Sequence, residues 1–329
     1  MDFPKTADIE LRVIDLEAIE STPGPYCMSF GFDSNWLAQS IRRVGLVNSP
    51  LLIENAQGPL RVISGYRRIQ ALKALGWKQV SCKCLSESQL SPLECLCLSL
   101  FENLATRKLN QVEKGMVLSR LSMWVRKNEL LETYMPLLDL PSHESTLTVF
   151  LRIEEELDDT IKDYLVRKNL PMDNIKMLLE FDPKTRACLF NLFSNLRFNL
   201  NQQKQLIDYI LDIAHKENRT VSQLIDEMSF QRILSDHRLN NPQKAKAILL
   251  LLRSRRFPSL VEAERAFQKK VSSLNLPEGV RIIAPSYFEA SYYLLEVHFQ
   301  GGVDLMQKID RLSKTGDLRQ LRNPWEEVV

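Results

Sequence analysis

The sequence predicts a multidomain α+β protein: an N-terminal α/β domain, a central all-helical domain and a small C-terminal α+β domain. Three observations carry the prediction. Up to residue 109, short apolar runs alternate with helical patterns across glycine and proline breaks. From 110 to 240, apolar residues recur at helical spacing with almost no strand signal. Beyond the polar stretch HRLNNP at 237–242, two helices precede a strand, a turn, a second strand and a last helix. The domains are accordingly placed at 1–109, 110–240 and 241–329, near the usual domain size of about 150 residues.

The elements follow in order. Residues 9–16 alternate, with Leu11, Val13 and Ile14 around Arg12 and Asp15, as in a strand. Two prolines and two glycines make 23–32 a loop. Ser34 is the expected cap of a helix that buries Leu37, Ile41 and Val44 and stops at Gly45. A short buried strand at 51–53 and a second at 60–64 flank turn residues. The next helix has Ile69, Leu72 and Leu75 on one face and ends at Gly76; a strand at 80–85 follows. Ser91 and Glu94 form a capping box with Pro92 in the first helical position, opening a helix that ends near Leu104. Asn110 and Glu113 repeat the cap signal for a helix with Val117, Leu121, Trp124 and Val125 inward. Further helices are expected at 129–138, 142–157, 159–167, 172–180, 184–196, 201–216 and 221–229, with short connections. The last region predicts helices at 243–254 and 259–274, strands at 280–284 and 292–299, and a helix at 303–313.

Composition narrows the functional classes. The chain has 43 lysines and arginines against 41 acids, net +2, so nucleic-acid binding driven by bulk charge is not indicated and any such contact needs a local patch. No apolar run approaches the roughly 20 residues of a membrane span, and MDFPKTADIE does not read as an export signal. The expectation is a cytoplasmic protein with no membrane contact and reduced thiols. The pairs Cys82/Cys84 and Cys95/Cys97 lack the usual zinc spacing and fall on apolar faces.

The stretch with the most chemistry is 60–76, LRVISGYRRIQALKALG. A strand that feeds a helix through a glycine leaves unpaired N–H groups at the helix start, and these attract an anion. Arg67 and Arg68 in the first turn add forked donors suited to phosphate. An ordinary strand-to-helix turn with solvated arginines is the alternative on this motif alone.

Several further segments, in order along the chain, resemble the ParB/sulfiredoxin fold and within it the ParB-type partition proteins. LAQSIRRVGLVNSPLLI resembles the family's helix-then-strand opening, ISGYRRIQALKALGW its GERR box, and FENLATRKLNQVEKG its ENLxR box with the helix after it. SHESTLTVFLRIEEEL and LVRKNLPMDNIKMLLEFDP resemble its helix-turn-helix region. The likeness spans about 9–230. It implies a CTP site with Mg²⁺: Gly65, Arg67 and Arg68 at the phosphates and Glu102 and Asn103 at the metal or the triphosphate, with Arg107 a further candidate and Tyr66 either stacking on a base or covering the corner. A carboxylate and an amide oxygen are hard ligands that suit magnesium. Three positions depart from the pattern. Tyr66 replaces a glutamate, Gln70 an arginine, and the box arginine falls on Thr106, with Arg107 one step late. These departures bear on CTP hydrolysis and clamp closure more than on the fold.

The resemblance also implies double-stranded DNA as a partner and a homodimer formed through the C-terminal unit. In the helix-turn-helix, 130–140 is the first helix and 142–151 the recognition helix. Ser142, His143, Ser145, Thr146, Thr148 and Arg152 are the candidate DNA contacts. The acids Glu154, Glu155, Glu156, Asp158 and Asp159 flank them and argue for weak or site-specific binding. The clearest basic stretch, Lys244, Lys246, Arg253, Arg255 and Arg256, reads either as a nucleic-acid patch or as a solvated face. The function implied is DNA partition or transcriptional regulation, with weak CTP hydrolysis as a further expectation. A serine-type small-molecule kinase on the same fold, with Glu102 as base, and a scaffold with a degenerate site are the alternatives. No paired metal-binding carboxylates of a nuclease are visible.

Overall fold

The computed structural model describes residues 9–56, 58–290 and 292–314, with 318 and 321. Four strands form the first sheet: β1 (Glu10–Asp15), β2 (Leu51–Ile53), β3 (Arg61–Ser64) and β4 (Gln79–Leu85), in the order β1-β4-β2-β3. β1 lies antiparallel to β4, β2 parallel to β4, and β3 antiparallel to β2. The central strand β2 is buried at all three residues, which explains its unbroken apolar run. Two helices, α1 (Asn35–Val44) and α2 (Tyr66–Ala74), close a core of Ile41, Leu52, Val62, Ile69, Leu72, Val80, Cys82 and Cys84. α3 (Pro92–Thr106) packs against β3.

The caps decide where these helices start and stop. Ser91 and Glu94 form their reciprocal box, and α3 runs two residues past its expected end. Ser34 does not cap α1. The Asp33 carboxylate accepts the Asn35 N–H at 2.8 Å instead, a stronger acceptor than a hydroxyl. Gly45, at φ 77°, ends α1 as expected, its N–H donating to Ile41 O.

Next come α4 (Gln111–Ser122), α5 (Lys127–Glu129), a π-helical turn (Leu130–Tyr134) and α6 (Met135–Leu137). α4 stops short of Trp124, which is therefore half exposed rather than inward. After a left-handed Asp139 the chain enters α7 (Glu144–Glu156), then α8 (Asp159–Lys168), α9 (Met172–Leu179) and α10 (Pro183–Leu196). The recognition helix expected at 142–151 thus begins at Glu144, and Ser142 and His143 precede it.

α11 (Leu200–Glu217) leads to α12 (Val221–Ile225) and α13 (Met228–Ser235), two helices where one was expected. Asp226 and Glu227 interrupt them, and the Glu227 carboxylate pairs with Arg219 and Arg255. α14 (Asn241–Arg256) and α15 (Pro258–Ser273) follow, then the antiparallel hairpin β5 (Val280–Ile283) and β6 (Leu294–Val297), and α16 (Gly302–Ser313). Phe267 stacks on Tyr293 and meets Phe288 edge-on in the small core beside this hairpin. Most of the tail beyond 314 lies outside the described residues.

The chain divides into two compact units, 1–187 and 188–329, where the sequence places three domains with boundaries at 109 and 240. Packing supplies the reason. α4 packs against α3 and α7, so no gap opens at 109. α14 packs against α11 and α13, and Asn240 is its N-cap, so HRLNNP is a tight connection within one unit.

Two predictions follow from the packing. A Cβ on Gly115 of α4 would lie 2.7 Å from the Phe150 carbonyl oxygen of α7. Gly115→Ala should therefore destabilise by about 1–3 kcal/mol through overpacking, against the stabilisation that alanine normally brings to a helix. Urea melts read the sign. Burial holds the Cys82 and Cys95 thiols protonated, up to about 12 and about 11. Of the six cysteines only Cys188 is not fully buried. Iodoacetamide at pH 8 should label Cys188 first in the native chain, and mass spectrometry of the labelled peptides checks this.

Candidate functional site

The site begins at the bend between β3 and α2. Gly65 sits at φ 93°, ψ 16°, and a Cβ there would lie 3.0 Å from both Pro50 Cα and Arg68 Nε. Only glycine accepts that dihedral and that proximity. No side chain caps α2, so the first-turn N–H groups remain available at the bend.

Arg68 turns back over the bend. Its Nη1 donates to Asn48 O at 2.9 Å and Ser49 O at 3.2 Å, and its Nη2 to Glu102 Oε1 at 2.9 Å. Arg67 takes the other side. Its Nε donates to Ser29 Oγ at 3.1 Å and its Nη2 to Glu113 Oε1 at 2.6 Å. Its guanidinium lies 4.9 Å over the Phe32 ring. Phe32 meets Tyr66 edge-on, and burial raises the Tyr66 hydroxyl above the usual tyrosine range. Burial also lowers Arg67 from the ordinary arginine value, with the Arg107 charge adding to the effect and Glu113 opposing it.

The end of α3 completes the site. Asn103 donates to Ser99 O at 2.8 Å and accepts from Arg107 Nε at 2.9 Å. Arg107 is the C-cap residue, in extended conformation, and so its side chain folds back into the site. It donates to Glu113 Oε2 and to Met28 O, both at 2.6 Å. Thr106, which holds the expected arginine position, spends its hydroxyl on the helix carbonyls of Glu102 and Asn103.

Gly65, Tyr66, Arg67, Arg68, Glu102, Asn103 and Arg107 therefore line one cleft of about 310 Å³, at the small end of the range for ligand pockets. Three guanidiniums face two carboxylates, Glu102 and Glu113, leaving one net positive charge. Among the described residues no three His, Cys, Asp or Glu side chains converge as a metal set.

Sequence reading missed Glu113, Ser29 and the Met28 carbonyl. Glu113 carried only a capping signal, and that box does form. Nothing local shows that the same carboxylate, only 1% exposed, also joins two arginines. The loop expected at 23–32 is anchored rather than free: Tyr26, Cys27 and Met28 are buried, and Ser99 donates to Tyr26 O.

The candidate DNA face is less charged than its sequence suggests, in both signs. Ser142, His143, Ser145 and Thr148 are exposed and Thr146 is half-buried. The Thr148 hydroxyl donates to Glu144 O. Arg152 is tied to Glu156, Glu180 and the Leu179 carbonyl, and so is not a free cation for phosphate. The acidic flank is also partly neutralised. Glu154 pairs with the buried Lys162, and Glu156 with Arg152 and the buried Arg186.

The basic stretch in α14 proves to be internal wiring. Arg253 binds Glu264 through both Nη groups, Arg255 bridges Glu217 and Glu227, and Arg256 pairs with Asp212 over the Tyr209 and Phe257 rings. Lys244 donates to Leu234 O. These arginines are neither a nucleic-acid patch nor a solvated face.

Comparison with known proteins finds a family match in the N-terminal part of the chain. Residues 8–104 match the ParB N-terminal domain family. The "Probable chromosome-partitioning protein ParB" of Vibrio cholerae is 25% identical over 201 residues, 61% of this chain and 65% of that protein. The nucleoid occlusion protein of Geobacillus thermodenitrificans is 23% identical over 188 residues, 57% and 60% respectively. The chain thus spans less than two thirds of the length of these curated relatives. Among solved structures, a C-terminally truncated Caulobacter crescentus ParB complexed with CTP-γ-S covers 53% of this chain and 94% of its own, at 21% identity and a TM-score of 0.26. A Pnob8-like ParB-N domain covers 74% and 93%, at 16% identity and 0.36. The glycine bend, its two arginines and the α3 carboxylate Glu102 all fall within the segment 8–104 that matches the ParB N-terminal domain family.

Proposed function

We propose that this chain is a DNA-associated protein of the ParB type whose N-terminal cleft binds CTP with Mg²⁺, acting in DNA partition or transcriptional regulation in the cytoplasm. One observation carries the reading: Arg68 at the glycine bend meets Glu102 of α3 across the cleft at 2.9 Å. Two segments remote in sequence therefore bring phosphate donors and a hard carboxylate ligand to one place. The glycine bend and the Arg67 and Arg68 guanidiniums bind the phosphates. Glu102 would hold the magnesium end of the nucleotide, supplying a hard carboxylate ligand. Asn103 serves differently from a metal ligand: its oxygen is already committed to Arg107 Nε, so it orients that arginine. CTP as the nucleotide is what the ParB resemblance implies.

Duplex DNA is assigned to the exposed start of α7, through Ser142, His143, Ser145, Thr146 and Thr148. With Arg152 held in ion pairs, binding there rests on hydrogen bonds more than on charge. No described helix is long and apolar enough to cross a membrane. The homodimer is assigned to the C-terminal unit. Val303, Met306 and Ile309 are 76%, 65% and 46% exposed at helical spacing on α16, and a two-stranded hairpin is marginal alone.

Titration calorimetry with CTP, ATP, GTP and UTP, with and without Mg²⁺, tests the nucleotide reading. CTP with Mg²⁺ should bind tightest. Arg68→Ala should weaken it by roughly ten- to a hundredfold, the loss of about 1.5–3 kcal/mol of charge-assisted hydrogen bonding. Equal failure of all four nucleotides overturns the reading. In sedimentation equilibrium the native chain should run as a dimer and Met306→Asp as a monomer. A monomeric native chain overturns the dimer.

A further inference from the structure

We propose that Glu113 is the positioning residue of the cleft, holding Arg67 in the one orientation that leaves its Nη1 edge open to an anionic ligand. The bond pattern leads to this. Oε1 accepts from Arg67 Nη2 at 2.6 Å and from the Phe30 N–H at 3.1 Å. Oε2 accepts from Arg107 Nη1 at 2.6 Å and from the Asn110 N–H at 3.0 Å. All four acceptor sites of one buried carboxylate are thereby filled.

A helix cap requires only the last of these four bonds. The other three reach the loop before α1, the first turn of α2 and the C-cap of α3. Two guanidiniums this close repel each other, and a shared carboxylate is what lets both remain near the cleft. The two arginines depend on it unequally. Arg107 is also held by Met28 O and Asn103 Oδ1, whereas the Nη groups of Arg67 have Glu113 as their sole acceptor among the described residues. Removing the charge of Glu113 therefore frees Arg67 first.

The ligand part of this inference rests on the nucleotide reading above; the arginine part does not. Three chains are compared: native, Glu113→Gln and Asn110→Ala. Asn110→Ala removes the other half of the capping box and the Asn110 Nδ2–Phe30 O bond, and keeps the carboxylate that joins Arg67 and Arg107. Resolved Nη–H resonances in ¹⁵N spectra report whether a guanidinium is held still. Arg67 should show them in the native and Asn110→Ala chains and lose them in Glu113→Gln, while Arg107 keeps its own in all three. CTP affinity should fall at least tenfold in Glu113→Gln and stay within twofold in Asn110→Ala, although the latter melts lower.

Should Glu113→Gln not fold, Glu113→Asp substitutes for it. It keeps the charge but withdraws it by one methylene, and the same loss of the Arg67 signals is expected. Retention of those signals in the substituted chain, or equal CTP affinity in Glu113→Gln and native protein, overturns the proposal. If native protein binds no nucleotide, the nucleotide reading fails, and the Arg67 resonances still decide the role of Glu113.

Discussion

A single buried carboxylate, Glu113, organises the N-terminal unit. Burying a charge is costly unless it is paired and fully hydrogen-bonded. Glu113 meets that condition only if four donors from four places in the chain converge on it. The constraint draws together the loop at 28–30, the start of α2, the end of α3 and the start of α4. The cleft is the space these segments enclose once the carboxylate is satisfied, and two of its arginines, Arg67 and Arg107, are held in place before any ligand arrives. Preorganised donors of this kind lose little freedom on binding.

The same economy of charge runs through the rest of the molecule. Arg186 is buried with the Glu156 carboxylate and four carbonyls, and Arg253, Arg255 and Arg256 each close on a carboxylate. These arginines act as ties between helices. For DNA this matters. Non-specific affinity comes mainly from neutralised phosphates, and Arg152, the one arginine of α7, is already paired. On the proposed DNA reading, discrimination would rest on where hydroxyls and amides sit, more than on attraction at a distance.

How far the molecule was legible in its sequence depended on whether the signal was local. The glycine bend at Gly65, the Ser91 box and the strands at 51–53 and 80–85 were all readable, because dihedral preference and periodicity are encoded within a few residues. The arginine pair was readable as donors. Its partners were not: Arg68 meets Glu102 across 34 positions, a residue that only the family likeness brought to the site, and Arg67 meets Glu113 across 46, which nothing in the sequence pointed to. Arg107 shows the limit of spacing. One step late in sequence, it reaches the cleft because the helix has ended and its backbone is extended. Misread charges had one cause throughout: a run of arginines or glutamates looks the same in sequence whether it faces water or closes on a distant partner.

The most direct test is a crystal structure of the chain grown with CTP and Mg²⁺. Triphosphate density is expected against the Gly65–Arg68 turn, within hydrogen-bond distance of Arg67 Nη1, with a magnesium ion beside Glu102. Nucleotide bound elsewhere, or a cleft unchanged at millimolar CTP with Arg68 still closed on Glu102, would contradict the assignment.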